Sequence, residues 1–131
     1  MKKTAIAAVF SALVLTMVSC TKKLDDRLPG TWNVTEVKSE PASGNGSAST
    51  TTNAGTIIFN ADGSGSNSLV LWGTSVNGDF TWVAADNNAT VTISGFNVIA
   101  GQYTVLTNKP KEQVWQQLNS AGDKYTYTLE K

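Results

Sequence analysis

The chain has no histidine, and its single cysteine is Cys20. Without imidazole it lacks the side chain that ordinarily titrates near neutral pH as a general base, and serine or threonine hydroxyls lose their usual activating partner. One thiol forms no intramolecular disulfide, and the nitrogen and sulfur ligands preferred by zinc and other transition metals are missing. Arginine occurs once, at Arg27, and charged residues make up only 15% of the chain. The lysines form no cluster of the kind that nucleic acid requires. The carboxylates Glu36, Glu40, Asp62, Asp79, Asp86, Glu112, Asp123 and Glu130 are scattered, mostly near turns or strand ends. The expectation is a protein that is not an enzyme and carries no metal or cofactor.

The first twenty residues have a definite layout. Met1-Lys2-Lys3 is basic, residues 4–18 are uncharged and largely apolar, and the small Ser19 precedes Cys20. This is the pattern of a secretory signal. The apolar run is shorter than the roughly 20 residues needed to span a bilayer. Leu15-Thr16-Met17-Val18-Ser19-Cys20 resembles, in a loose form, the lipobox of bacterial lipoproteins. The resemblance implies that the Cys20 thiol carries a diacylglycerol, that cleavage makes Cys20 the new N-terminus, and that the protein is lipid-anchored in the cell envelope at the outer membrane. Two or three acyl chains, palmitate among them, hold firmly where one holds marginally. Lys23-Leu24-Asp25-Asp26 is similar to the acidic signal that follows the cysteine in surface-exposed lipoproteins of the Bacteroidetes. The other reading is a solvated linker.

These features divide the chain into a signal over residues 1–19, a lipidated tether over 20–29 and one folded domain over 30–131. Loss of residues 1–19 leaves 112 residues, enough for one modest core. Lys2 and Lys3 go with them, so 8 basic residues face 10 acidic ones and the side-chain balance becomes −2.

From residue 31 onward the pattern is β. Strands are expected over 31–38 (TWNVTEVK), 56–60 (TIIFN), 66–73, 79–84 (DFTWVA), 89–94 (ATVTIS), 101–107 (GQYTVLT), 112–118 (EQVWQQL) and 125–131. In 89–94 Val91 and Ile93 share one face and Thr90 and Thr92 the other, the period of a half-buried strand. Asn77-Gly78 signals a hairpin turn, because both central positions of a type I′ turn need positive φ. Residues 39–55 (SEPASGNGSASTTTNAG) read as a low-complexity loop, too poor in apolar surface to fold alone. In residues 60–66 oxygen-bearing side chains alternate, but a calcium loop begun at Asn60 would need an acid at its twelfth position, which is Leu71. A hairpin turn is expected there.

Eight short strands with hairpin-length connections form an antiparallel meander. Left open it would expose two edges, and closure into a barrel removes them. The expected fold is therefore all-β, a small eight-stranded barrel; a β-sandwich shares the same alternation and is the alternative. Contact between first and last strands separates the two. Glu36 shares the parity of Trp32 and Val34, so a regular strand would point it inward; a bulge would turn it out and bring Val37 in.

Leu28-Pro29-Gly30-Thr31-Trp32-Asn33-Val34 resembles the opening of a lipocalin, whose first strand begins Gly-x-Trp. The long loop after the first strand, the run at residues 56–65 (TIIFNADGSG) and Phe80-Thr81-Trp82 are similar to small lipocalin-like lipoproteins of Bacteroidetes. The resemblance implies that Trp32 plugs the closed end and that the barrel takes a small hydrophobic ligand, most simply as a monomer. The family's Thr-Asp-Tyr motif is missing, as is the arginine that covers the tryptophan from the last strand. On this reading Trp72, Phe80, Trp82 and Tyr103 line a cavity. The competing reading is that the aromatics fill the interior, since an eight-stranded barrel is just wide enough for its own side chains. A filled barrel would serve as a structural module, or as one that docks proteins or glycans.

Overall fold

The computed structural model describes residues 23–43, 46–85 and 89–131. The signal, Cys20 and Asp86-Asn87-Asn88, whose sequence reads as a turn, lie outside the described residues.

One helical turn, α1 (Leu24–Arg27), leads into eight strands: β1 (Gly30–Glu40), β2 (Ser49–Phe59), β3 (Ser64–Leu71), β4 (Thr74–Ala85), β5 (Thr90–Ser94), β6 (Gly101–Lys109), β7 (Glu112–Leu118) and β8 (Lys124–Glu130). Each pairs antiparallel with its neighbours in sequence, and β1 pairs with β8 from Asn33–Glu130 to Glu40–Lys124. The barrel is closed, and the sandwich alternative falls on this pairing.

Alternation decides what enters the core. Along β3 the residues Gly65, Asn67, Leu69 and Leu71 are buried, and along β4 Phe80 and Trp82. In β1 the register shifts between Val34 and Glu36 on both flanks. Thr35 is the extra residue, Glu36 faces solvent, and Val37 is fully buried. The expected bulge is present: it spares a carboxylate from burial without a countercharge.

Three local expectations change. Asn77-Gly78 is not a turn; both residues lie inside β4, opposite Ser68 and Asn67. The β3–β4 turn is Trp72-Gly73, both with positive φ (48° and 81°). Gly78 packs closely on Asn97: a Cβ there would lie 2.9 Å from the Asn97 amide nitrogen, so that side chain would have to shift. Second, β2 begins at Ser49, so the loop shortens to residues 41–48. The Thr-rich run is a strand because β1 supplies its partner, pairing Val37 with Thr51 and Ser39 with Ser49. Third, the segment read as a tether is packed from Leu24 onward: Leu24 and Leu28 are fully buried in the barrel core.

The two ends of the barrel differ. α1, the end of β8 and the turns β2–β3 and β6–β7 lie at one end. The loop 41–48 and the turns after β3, β5 and β7 lie at the other. At the first end the Trp32 indole donates to the Leu28 carbonyl (2.8 Å). Arg27 donates to the Asn108 carbonyl, Gln113 to the Asn108 side chain (2.7 Å), and the Trp115 indole to Gln113 (3.3 Å). This chain of bonds carries α1 across to β6 and β7 and plugs the end.

Candidate functional site

The interior has two levels. The level nearest α1 is filled by aromatic rings. Phe59 is their hub, with its centroid 5.5 Å from Phe80, 5.5 Å from Trp82 and 5.6 Å from Trp115, each edge to face. Such contacts add about 0.5–1.5 kcal/mol per pair beyond area burial. Phe80 lies against Gly65, where a Cβ would fall 2.4 Å from the ring. The Trp82 indole is held by the carbonyls of Asn60 and Ser64 (3.1 Å each) in the β2–β3 turn. Within that turn Asp62 accepts from the Ser64 amide (2.9 Å) and hydroxyl (2.6 Å). These bonds hold its carboxyl below the usual carboxylate range. No group of three metal-ligating side chains occurs among the described residues.

Tyr103 and Tyr127 form the floor above this level, edge to face at 5.5 Å. The Tyr103 hydroxyl donates to the Ile99 carbonyl (2.6 Å). Burial raises both phenols above the usual tyrosine pKa, and their mutual interaction adds to this for Tyr103.

Beyond the floor the barrel opens. A cavity of about 440 Å³ is bounded by Leu71, Trp72 and Thr74 at the β3–β4 hairpin, Val76 on β4, Val98 in the β5–β6 connection, Gln117 on β7, and Tyr125 and Tyr127 on β8. This falls within the size range of small-molecule sites, about 300–1,000 Å³. Its walls are held in place. Asn97 donates to the Asn67 side chain (2.6 Å), Asn67 to the Val76 carbonyl (3.0 Å), and the Ile99 amide to Asn97 (3.1 Å). These bonds pin the β5–β6 connection to β3 and β4. Asp123 accepts from the Ala42 amide (2.9 Å) and from Asn119 (3.1 Å), tying the loop 41–48 to the β7–β8 turn. Those two bonds, the Ala42 one foremost, lower the Asp123 pKa. The rim is apolar and exposed at Trp72, Phe96, Val98 and Leu118, with Phe96 fully in solvent.

Of the four residues expected to line a cavity, Trp72 does so. Phe80, Trp82 and Tyr103 lie below it among the packed rings. Gln117, Tyr125, Tyr127, Val76 and Val98 are the lining residues that sequence reasoning missed. The inward parity of β7 and β8 was the available signal: Gln113, Trp115 and Gln117 alternate, as do Tyr125, Tyr127 and Leu129. Trp32 has its cation after all. Lys131 Nζ lies 4.7 Å from the Trp32 ring centroid, beyond the end of β8.

A second depression, about 520 Å³, lies outside the plugged end between the β6–β7 turn and Lys131. Lysines and glutamates of both signs line it, so it offers no enclosed apolar surface.

No protein-family model matches the chain, and no curated protein matches it. Among solved structures it is similar to a redesigned β-barrel, with a TM-score of 0.50 and 18% identity over 83% of this chain and 95% of the other. At that identity the likeness is one of fold.

Proposed function

We propose that the protein is a membrane-anchored binding barrel, taking a small apolar molecule into its open end without chemical transformation. The cavity of about 440 Å³ above the Tyr103–Tyr127 floor carries this reading. The plugged half supplies rigidity, and the open half supplies a wall of Trp72, Leu71, Val76, Val98 and two tyrosines. No histidine is present to activate a nucleophile.

The membrane half of the proposal rests on Cys20 and the residues before it. With Leu24 in the core, four residue steps separate the lipid from the fold, at most about 14 Å of extended chain. The plugged end would then rest near the outer membrane and the cavity would face away from it.

Tryptophan fluorescence during titration with lipophilic dyes and small apolar compounds tests binding. A saturable response that disappears in Trp72→Ala is expected; no saturable response across a broad panel would count against the reading. Cys20→Ser tests anchorage. Release of the protein from the membrane fraction is expected, and a variant that stays bound and is processed normally would sink that half.

A second reading has its own observation. The exposed rim of Trp72, Phe96, Val98 and Leu118 suits a barrel that docks a protein or glycan. Substituting Phe96 with Ser separates the two, because Phe96 lies outside the cavity lining: small-molecule affinity should persist while docking is lost.

A further inference from the structure

The cavity's chemistry is narrower than its apolar character alone implies. None of its lining residues is charged at neutral pH. Burial raises the Tyr127 phenol above the usual tyrosine pKa, and Lys124, the neighbour of Tyr125, falls on the outward parity of β8. A carboxylate or ammonium entering the cavity would shed water and meet no countercharge, which is strongly unfavourable. The aromatic floor blocks the shaft below, since Tyr103 packs on Trp115 at 5.8 Å and on Tyr127 at 5.5 Å. A long acyl chain therefore has no depth to occupy, and the aromatic lining of Trp72, Tyr125 and Tyr127 suits a compact ring.

The polar groups of the lining include the hydroxyls of Thr74, Tyr125 and Tyr127 and one primary amide, Gln117. The Gln117 side chain lines the cavity and makes no hydrogen bond to any described residue. Space for it comes from Gly101 on the adjacent β6, where a Cβ would lie 1.9 Å from the amide nitrogen. A primary amide both donates and accepts, so it matches a neutral polar group and favours neither ionic sign.

We infer that the ligand of this cavity is an uncharged, compact ring compound bearing a neutral hydrogen-bonding group, which the Gln117 amide reads. The inference rests on the binding function proposed above.

Calorimetric titration of the purified protein at pH 7 with three compounds of one shape tests it: 2-naphthamide, 2-naphthoate and 2-naphthylmethylammonium. The amide should bind at least about 30-fold tighter than either ion, because each ion sheds water and meets no countercharge. Either ion binding within about 3-fold of the amide would overturn the inference and leave the binding function standing. Binding by none of the three would remove the binding of compact rings, and the inference with it. Gln117→Leu should weaken the amide by about 10-fold, the worth of one well-made hydrogen bond. Unchanged affinity would show that Gln117 does not read the ligand. Gln117→Glu keeps the side-chain length and gives an independent readout. It should bring 2-naphthylmethylammonium above 2-naphthamide, and failure of that reversal counts equally against the assignment.

Discussion

Lys131 Nζ sits over the Trp32 ring at 4.7 Å and also donates to the carbonyls of Arg27 and Pro29, both at 3.1 Å. The last residue of the chain thus fastens the segment that plugs the barrel. Removing the ammonium with Lys131→Met should cost about 0.5–1 kcal/mol, the usual value of an exposed cation–π contact. Lys131→Arg should retain most of it. Trp32→Ala, which empties the plug, should cost about 3–5 kcal/mol. Urea midpoints of the three variants give the comparison, and equal midpoints for Lys131→Met and Trp32→Ala would contradict it.

The helical turn before β1 belongs to the core rather than to a spacer. Leu24→Ala and Leu28→Ala should each destabilise by about 2–5 kcal/mol, as large-to-small changes in a packed interior do. Deleting residues 20–29 should therefore lower the unfolding temperature, while deleting residues 20–22 should not. Thermal unfolding monitored by near-UV circular dichroism distinguishes them.

Stability and binding should separate along the barrel axis. Trp72 is 45% exposed, and Trp72→Ala should change stability by no more than about 0.5 kcal/mol while abolishing the titration response. Trp115, fully buried against Phe59 and Tyr103, should cost about 3–5 kcal/mol when cut to alanine. A Trp72→Ala variant that unfolds as readily as Trp115→Ala would mean that the mouth is structural.

The tyrosine floor predicts an alkaline limit. Burial raises the pKa of Tyr103 and Tyr127 in the folded state. The unfolded chain therefore loses these protons first, near the ordinary tyrosine value of about 10. Their contribution is fully present below that pH and is lost as pH rises through the range between the unfolded and folded values. Urea midpoints should be flat from pH 7 to about 9.5 and fall above about 10. Tyr103→Phe, which keeps the ring but has no proton to lose, should weaken that fall; an undiminished fall would assign it elsewhere.

Much of the architecture was legible because it is encoded by alternation. Val91 and Ile93 opposed to Thr90 and Thr92, and Glu36 on the wrong parity, suffice to place a strand and a bulge. What was not legible depends on partners distant in sequence. Asn77-Gly78 is a strong turn signal locally, yet Asn97 packs against Gly78, and pairing with β3 keeps both residues in a strand. Ser49 to Asn53 have almost no apolar content and are strand only beside β1. Leu24 and Leu28 are two leucines in a charged stretch, and their burial follows from closure of the barrel over them. The candidate site divides the same way. Trp72 was found as an aromatic residue in a β run, whereas Gln117 becomes visible only once Gly101 is known to leave room for its amide.

The contact between Lys131 and Pro29 also means that the barrel has no topological beginning. A short linker could join its two ends, and the chain could be reopened in the loop 41–48, moving both termini to the mouth without altering a strand pairing. Given the lipid proposed at Cys20, such a circular permutant would invert the barrel on its support, with the cavity toward the membrane and the plugged end outward.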